Sequence, residues 1–228
     1  MGNQSLNYTN KVRRDTTMGI STTPSIVYLN RKLTSTLYGP TLTTNRFSQP
    51  NQAYKFDGVN DFLQVANNAS LNLKQLTLVL TFKILAIPPG PDYASKMTLV
   101  AKGQDFGNYN ISVSRYGGST FPYLTYGHHC SSGNFTATYW DKWLELNRYY
   151  QIAVAYANSN LLIAIDGIIV LEQGNVPVPV SNTEPLLIGK SPYAKDPEFF
   201  NGIIDEIRLC NWSLTKDELT RIYQSGTP

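Results

Sequence analysis

From Ile26 onward the apolar residues fall in short runs with a period of two, and turn residues separate the runs. Gln75 to Ile84 shows this most clearly. Leu76, Leu78, Leu80, Phe82 and Ile84 share one face, while Gln75, Thr77, Thr81 and Lys83 share the other. One apolar and one polar face predict a half-buried strand, which the rigid Pro88-Pro-Gly-Pro91 segment ends. Shorter strands are predicted over 97–102 and 110–115. Residues 150–156 are predicted to pair with 161–165 across Asn158-Ser-Asn160, and Asp166-Gly167 supplies a tight two-residue turn into 168–171. Strands over 186–189 and 202–209 complete the set. Helical signal is confined to the C-terminus: Thr215 with Glu218 three residues on forms a capping box, followed by Leu219, Ile222 and Tyr223, with Gly226 as the stop.

Residues 1–24 are polar and show no apolar period, so they read as an extended arm that cannot fund its own ordering. Residues 25–228 read as one β domain. Composition agrees: of 228 residues only 15% are charged, while Gly (16), Pro (13) and Tyr (15) are plentiful, which suits many short strands joined by turns. A formal charge of +3 is too small to imply a nucleic-acid partner. The one basic cluster, Lys11, Arg13 and Arg14, lies in the arm without interleaved aromatics. It predicts contact with other protein subunits instead.

No run approaches the roughly 20 apolar residues of a membrane span, and the N-terminal residues lack the apolar core of a signal peptide. The expectation is a chain not secreted by that route, located in a virion or the cytoplasm. Cys130 and Cys210 are the only cysteines; spacing alone does not show that they meet, and without a signal peptide two reduced thiols are expected.

Several phrases occur in an order that resembles a known family. Gly39-Pro-Thr-Leu-Thr-Thr-Asn-Arg-Phe47 leads into Phe56-Asp-Gly-Val-Asn-Asp-Phe62. Leu99-Val-Ala-Lys-Gly103 follows, then Tyr149-Tyr-Gln-Ile-Ala-Val-Ala-Tyr156 with Asp166-Gly167. Phe200-Asn-Gly-Ile-Ile-Asp-Glu-Ile-Arg-Leu209 and Asn211 to Glu218 close the set. Together, across residues 38–226, they resemble the laminin-G-like domains of the concanavalin-A-like lectin/glucanase group. The fold this implies is all-β: a two-sheet antiparallel jelly-roll sandwich with a short C-terminal helix, here behind an extended N-terminal arm.

The glucanase branch of that group carries an E-x-D-x-x-E strand that projects carboxylates into one cleft. Here Ile203 and Arg208 stand where its flanking glutamates would be, so the expectation is a protein that is not an enzyme. Relatives that hold calcium do so near the first-strand or closing-strand aspartate. The resemblance therefore implies Ca²⁺ at Asp57, Asn60 and Asp205, with Asp61 nearby as a further oxygen donor. Strict alternation would place Asp205 beside Ile203, Ile207 and Leu209, where a carboxylate requires a cation or several N–H donors. His128-His129-Cys130, read as a loop, offers too few ligands for structural zinc.

Sugar binding would use ring faces, and the Gly-rich stretch from Arg115 to Gly127 offers Tyr116, Tyr123 and Tyr126, with Trp140 behind them. The competing reading packs these tyrosines in the sandwich. The sequence thus predicts a non-catalytic structural or adhesive surface component of a larger assembly, such as a viral minor capsid, decoration or fibre protein. The alternative is a stand-alone carbohydrate-binding, lectin-like recognition module.

Overall fold

The computed structural model describes residues 26–28, 31–32, 35–87, 96–104, 107–115, 122–139, 144–192 and 198–225. The predicted arm, with Lys11, Arg13 and Arg14, lies outside the described residues.

Among the described residues, nine strands form one sheet and seven another. The first sheet is centred on β7 (Leu76–Ile84), flanked by β12 (Tyr149–Ala157) and β16 (Asn201–Cys210); β13 (Asn160–Ile165) and β14 (Ile168–Gln173) extend it beyond β12. The other edge of β16 is shared. β5 (Ala53–Asp57) runs antiparallel along Asn201–Ile204, and the short β1 (Ile26–Tyr28) runs parallel along Ile207–Leu209. β2 (Arg31–Lys32) pairs with β1, and β4 (Thr41–Thr43) pairs with β5.

The second sheet runs in the order β11 (Gly133–Tyr139), β10 (Tyr123–Cys130), β9 (Tyr109–Ser114), β8 (Lys96–Lys102), β15 (Leu186–Ile188), β6 (Phe62–Val65) and β3 (Ser35–Tyr38). Apart from β1 on β16, neighbouring strands are antiparallel. The chain crosses between sheets several times, which makes this a jelly-roll sandwich.

Alternation builds the core. The inward face of β7 meets Ile111, Val113, Leu124 and Tyr126 of the second sheet in one cluster. The outer face of β7, predicted to be polar and exposed, is also buried, with Thr77 at 0% and Val79 at 1% exposure. The reason is the C-terminal helix α1 (Lys216–Ser225). Leu219 on the helix and Leu214 ahead of it pack on Val79, Ala153, Ala155 and Ala164. Small alanines on β12 and β13 leave the depth that a helix needs.

The helix begins at the predicted capping box. The Thr215 N–H donates to Glu218 Oε2 (2.8 Å), and the Glu218 N–H returns to Thr215 Oγ1 (3.4 Å), an arrangement worth about 1 kcal/mol. Thr220 Oγ1 then donates to the Gly167 carbonyl (2.8 Å) and ties the helix to the β13–β14 turn. That turn needs glycine: φ at Gly167 is +75°, and a Cβ there would stand 2.9 Å from the Tyr223 Cβ.

One strand departs from strict alternation. β16 bulges between Ile204 and Glu206, so Ile204 lies opposite Phe82 and Ile207 opposite Leu80. Ile204, Ile207 and Leu209 therefore join the core, and Asp205 does not share their face as simple alternation predicts.

Candidate functional site

A cleft of about 320 Å³ opens on the outer side of the first sheet, beside the last turn of α1. Its lining is Arg46, Phe47, Thr81, Arg148, Tyr149, Tyr150, Gln151, Asp166, Tyr223 and Gln224. Five separate pieces of chain build it.

Arg46 and Phe47 come from the β4–β5 loop. Asn45 Oδ1 shapes this loop by accepting the N–H groups of Phe47 and Gln49, each at 2.9 Å. Arg46 is fixed by Asp205, which accepts from Nη1 at 2.7 Å and from the Arg46 backbone N–H at 3.3 Å. A second carboxylate, Glu206, lies 3.4 Å from Nη2. The guanidinium also stands 4.4 Å from the centre of the Phe47 ring.

β12 supplies Tyr149 and Gln151 on its outer face, and Tyr150 turns inward with 1% exposure. The Tyr150 hydroxyl accepts from the Glu145 N–H (2.8 Å) and Arg148 Nη1 (3.2 Å). Arg148 also pairs with Asp166 (2.8 Å), whose second oxygen accepts the Gln151 N–H (2.9 Å). Thr81 lies opposite Gln151 in the β7–β12 register. It is 2% exposed, and its hydroxyl makes no hydrogen bond.

Tyr149 forms one wall. Its hydroxyl donates to the Thr44 carbonyl (3.3 Å), and Lys83 Nζ sits 4.7 Å from its ring centre. Burial, reinforced by the Asp205 charge, pushes the phenol up to about 12, so it stays a donor. Burial raises the Asp205 carboxyl too, against the pull of Arg46. Each guanidinium in the cleft thus has its carboxylate. What remains is ring surface from Phe47, Tyr149 and Tyr223, the last 42% exposed, with hydroxyl and amide groups between. That combination suits a small polyhydroxylated ligand.

The residues predicted from sequence fall elsewhere. Tyr126 is fully buried between the sheets and Tyr123 is 9% exposed, so neither offers a ring face for stacking. Alternation on β10 turns Tyr126 inward, where its hydroxyl meets His128 Nδ1 at 3.2 Å. Tyr116 and Trp140 lie outside the described residues.

The predicted calcium ligands do not converge. Asp57 lies opposite Asn201, four residues before Asp205 on β16, a separation of about 13 Å along a strand. Asp57 Oδ1 is occupied by the N–H groups of Val59, Asn60 and Asp61 at 2.8, 3.1 and 3.3 Å. Burial opposes its ionisation, but these donors together hold its carboxyl below the usual range. At Asp205 the required cation is Arg46. Asp57, Asn60 and Asp205 therefore do not fit a common calcium site.

His128, His129 and Cys130 belong to β10 and not to a loop. His128 is wholly buried, and its Nε2 donates to the Pro177 carbonyl (2.8 Å). Burial lowers its pKa and keeps the ring neutral. Cys130 and Cys210 are buried thiols on β10 and β16.

Sequence reading also missed a charge. Lys102, at the end of β8, is 0% exposed. Its Nζ donates to Asn67 Oδ1 (3.1 Å), Asn182 Oδ1 (2.8 Å), the Asn182 carbonyl (3.4 Å) and the Glu184 carbonyl (2.6 Å). Burial pushes its pKa down to about 8, against the pull of Glu184. On the outer face of the same sheet, Asn110 Oδ1 and Ser112 Oγ are buried without partners. No spacing signal marks either place. The cleft residues Arg46, Tyr149 and Asp166 do occur in the phrases that carry the family resemblance, but there they mark strands and a turn.

A sequence profile of the Concanavalin A-like lectin/glucanases superfamily matches residues 57–220, more than half of the chain, and the chain belongs to that superfamily. No curated protein matches the sequence. Among solved structures, the chain is similar to the receptor-binding domain of botulinum neurotoxin mosaic serotype C/D. The TM-score is 0.65 at 11% identity, covering 86% of this chain and 47% of that one. A botulinum neurotoxin type C structure, described through cell entry dependent on two ganglioside molecules, has a TM-score of 0.61 at 10% identity, with coverage of 86% and 47%. This chain thus spans about half the length of the toxin domains. Domain 4 of AbnA, an extracellular GH43 arabinanase from Geobacillus stearothermophilus in complex with arabinotriose, has a TM-score of 0.57 at 19% identity, covering 82% and 89%. At these identities the likeness is one of fold.

Proposed function

We propose that this member of the concanavalin A-like lectin/glucanases superfamily is a non-catalytic glycan-binding module. Its ligand sits in the cleft between the β4–β5 loop, β12 and the last turn of α1. The observation that carries this reading is the lining of the cleft, in which the aromatic residues Phe47, Tyr149 and Tyr223 stand beside the polar Thr81 and Gln151. Such a lining recognises a sugar by stacking on its C–H face and reading its hydroxyls. The lining has no nucleophile and base within bonding distance of each other, and its two arginines are engaged by carboxylates.

Two similarly folded proteins lend support, since one is in complex with arabinotriose and another depends on gangliosides for cell entry. The particle-surface reading draws in part on residues 1–24, which lie outside the described residues, and the cleft adds nothing to it. A surface subunit that holds host glycans in this cleft satisfies both readings.

Binding of the full chain to an array of immobilised oligosaccharides, followed by titration of the best ligand, tests the proposal. Saturable binding is expected, and Tyr149→Ala should weaken it about tenfold through the lost ring contact without changing the unfolding temperature enough to unfold the chain. Absence of binding across the array, or full affinity in a folded Tyr149→Ala variant, would sink it.

A further inference from the structure

The cleft contains a group that the fold does not use. Thr81 sits on the central strand of the first sheet, 2% exposed, and its hydroxyl has no partner. A buried hydroxyl with an unmade bond costs stability, and an isosteric apolar replacement removes that cost. Thr77, on the same face of β7, shows the contrast: its hydroxyl donates to the Trp212 carbonyl (2.8 Å) and accepts the Leu214 N–H (2.9 Å). Thr77 fastens the approach to α1, whereas Thr81 fastens nothing and lines the cleft.

The charges of the cleft point to the kind of ligand that would use it. Arg148 is paired with Asp166 at 2.8 Å, and Arg46 with Asp205 at 2.7 Å and Glu206 at 3.4 Å. The side chains of Asp166 and Asp205 are 9% and 6% exposed. Both guanidinium charges are thus already neutralised by nearly buried carboxylates, whose negative charge an acidic ligand would have to approach. A neutral sugar meets no such obstacle. Its hydroxyls both donate and accept, which matches the Thr81 hydroxyl and the amide of Gln151, opposite it in the register. The volume, about 320 Å³, lies near the lower end of small-molecule sites, so the cleft takes the end of a glycan and not a long run of it.

We infer that the cleft selects the uncharged end of a neutral glycan over an acidic one, and that the Thr81 hydroxyl is a specificity-determining group kept for that ligand at the expense of the unliganded fold. This deepens the glycan-binding reading and rests on it.

The test titrates the full chain with arabinotriose and N-acetyllactosamine as neutral probes. 3′-Sialyl-N-acetyllactosamine and a galacturonic acid trimer are the acidic ones. Wild type, Thr81→Val and Gln151→Ala are compared, with thermal unfolding of each unliganded protein. The expected result is tighter binding of a neutral probe than of either acidic one. Thr81→Val should weaken it about five- to tenfold, the worth of one lost hydrogen bond, while the unliganded variant melts at the same or a higher temperature. A purely structural threonine would show the opposite pattern, with a lower melting temperature and unchanged affinity, and would overturn the inference. Preference for the acidic probes overturns it too but leaves the glycan-binding reading standing. Neutral binding that neither substitution affects places the ligand outside the cleft and refutes both site and selectivity. Failure of all four probes to bind removes the glycan-binding reading and this inference together.

Discussion

Each sheet buries a charge, and the two are satisfied in opposite ways. In the first sheet, Asp205 is met by the Arg46 guanidinium, brought from 159 residues away. In the second, the Lys102 ammonium donates to neutral oxygens of Asn67, Asn182 and Glu184, and the Glu184 carboxylate acts on it only as an unbonded charge. The difference decides what happens when one partner is lost. Removing Arg46 leaves a buried anion behind, whereas removing Lys102 takes the charge away with it and leaves neutral acceptors.

The sharpest way to break the comparison is therefore Arg46→Met. With Asp205 stranded, the loss should be about 3 kcal/mol, measured by urea unfolding at pH 7. Asp205→Asn in the same chain should restore most of it, because the stranded charge is then gone. Since Arg46 also ties the β4–β5 loop, and with it Phe47, to Asp205 on β16, the single variant should lose glycan affinity as well. Equal stability of Arg46→Met and wild type would mean that Asp205 is solvated and the pairing idle.

Lys102→Met is the matching change and should cost less, about 1–2 kcal/mol for the unsatisfied acceptors, with glycan affinity unchanged. It also predicts a pH dependence. The folded ammonium has its pKa pushed from 10.5 down to about 8. Between those values the unfolded chain holds a proton that the folded chain has released, so Lys102 makes stability rise with pH across that window. The stability of wild type relative to Lys102→Met should therefore climb from pH 8 to 10 and stay level below pH 7. A flat difference throughout would show that the oxygen cage holds the proton as firmly as water does.

The two charges were unequally legible in the sequence. The need of Asp205 for a cation follows from a carboxylate in an apolar strand, but a calcium ion was the expected partner. A loop arginine that reaches a strand distant in sequence leaves no local pattern. The bulge at Ile204 to Glu206 also shifted the alternation on which the argument stood. Lys102 gave no signal, because its acceptors are asparagine side chains and carbonyls from two loops. Strands, turns and the helix cap were readable because they depend on neighbours: period two in β7, Asp166-Gly167, and Thr215 with Glu218. The cleft was not, because Arg46, Thr81, Gln151 and Tyr223 come together only after the sheet and α1 have packed. The tyrosine platform failed at Tyr126 for a related reason. Alternation shows which residues share a face of β10, but not which of its two faces turns inward.

The smallest predicted effect separates two unpartnered hydroxyls, one in each sheet. Ser112 on β9 is as buried as Thr81, and its hydroxyl is equally without a partner, but it does not line the cleft. Ser112→Ala should therefore change stability by no more than about 0.5 kcal/mol, on the stabilising side, and leave glycan affinity unaltered. Thr98→Val is the control, because Thr98 faces Ser112 across the β8–β9 pair and donates its hydroxyl to Glu198 at 2.7 Å. That change should cost about 1 kcal/mol. If Ser112→Ala weakened a glycan as much as Thr81→Val does, an idle buried hydroxyl would no longer point to the cleft, and the outer face of the second sheet would have to share in binding.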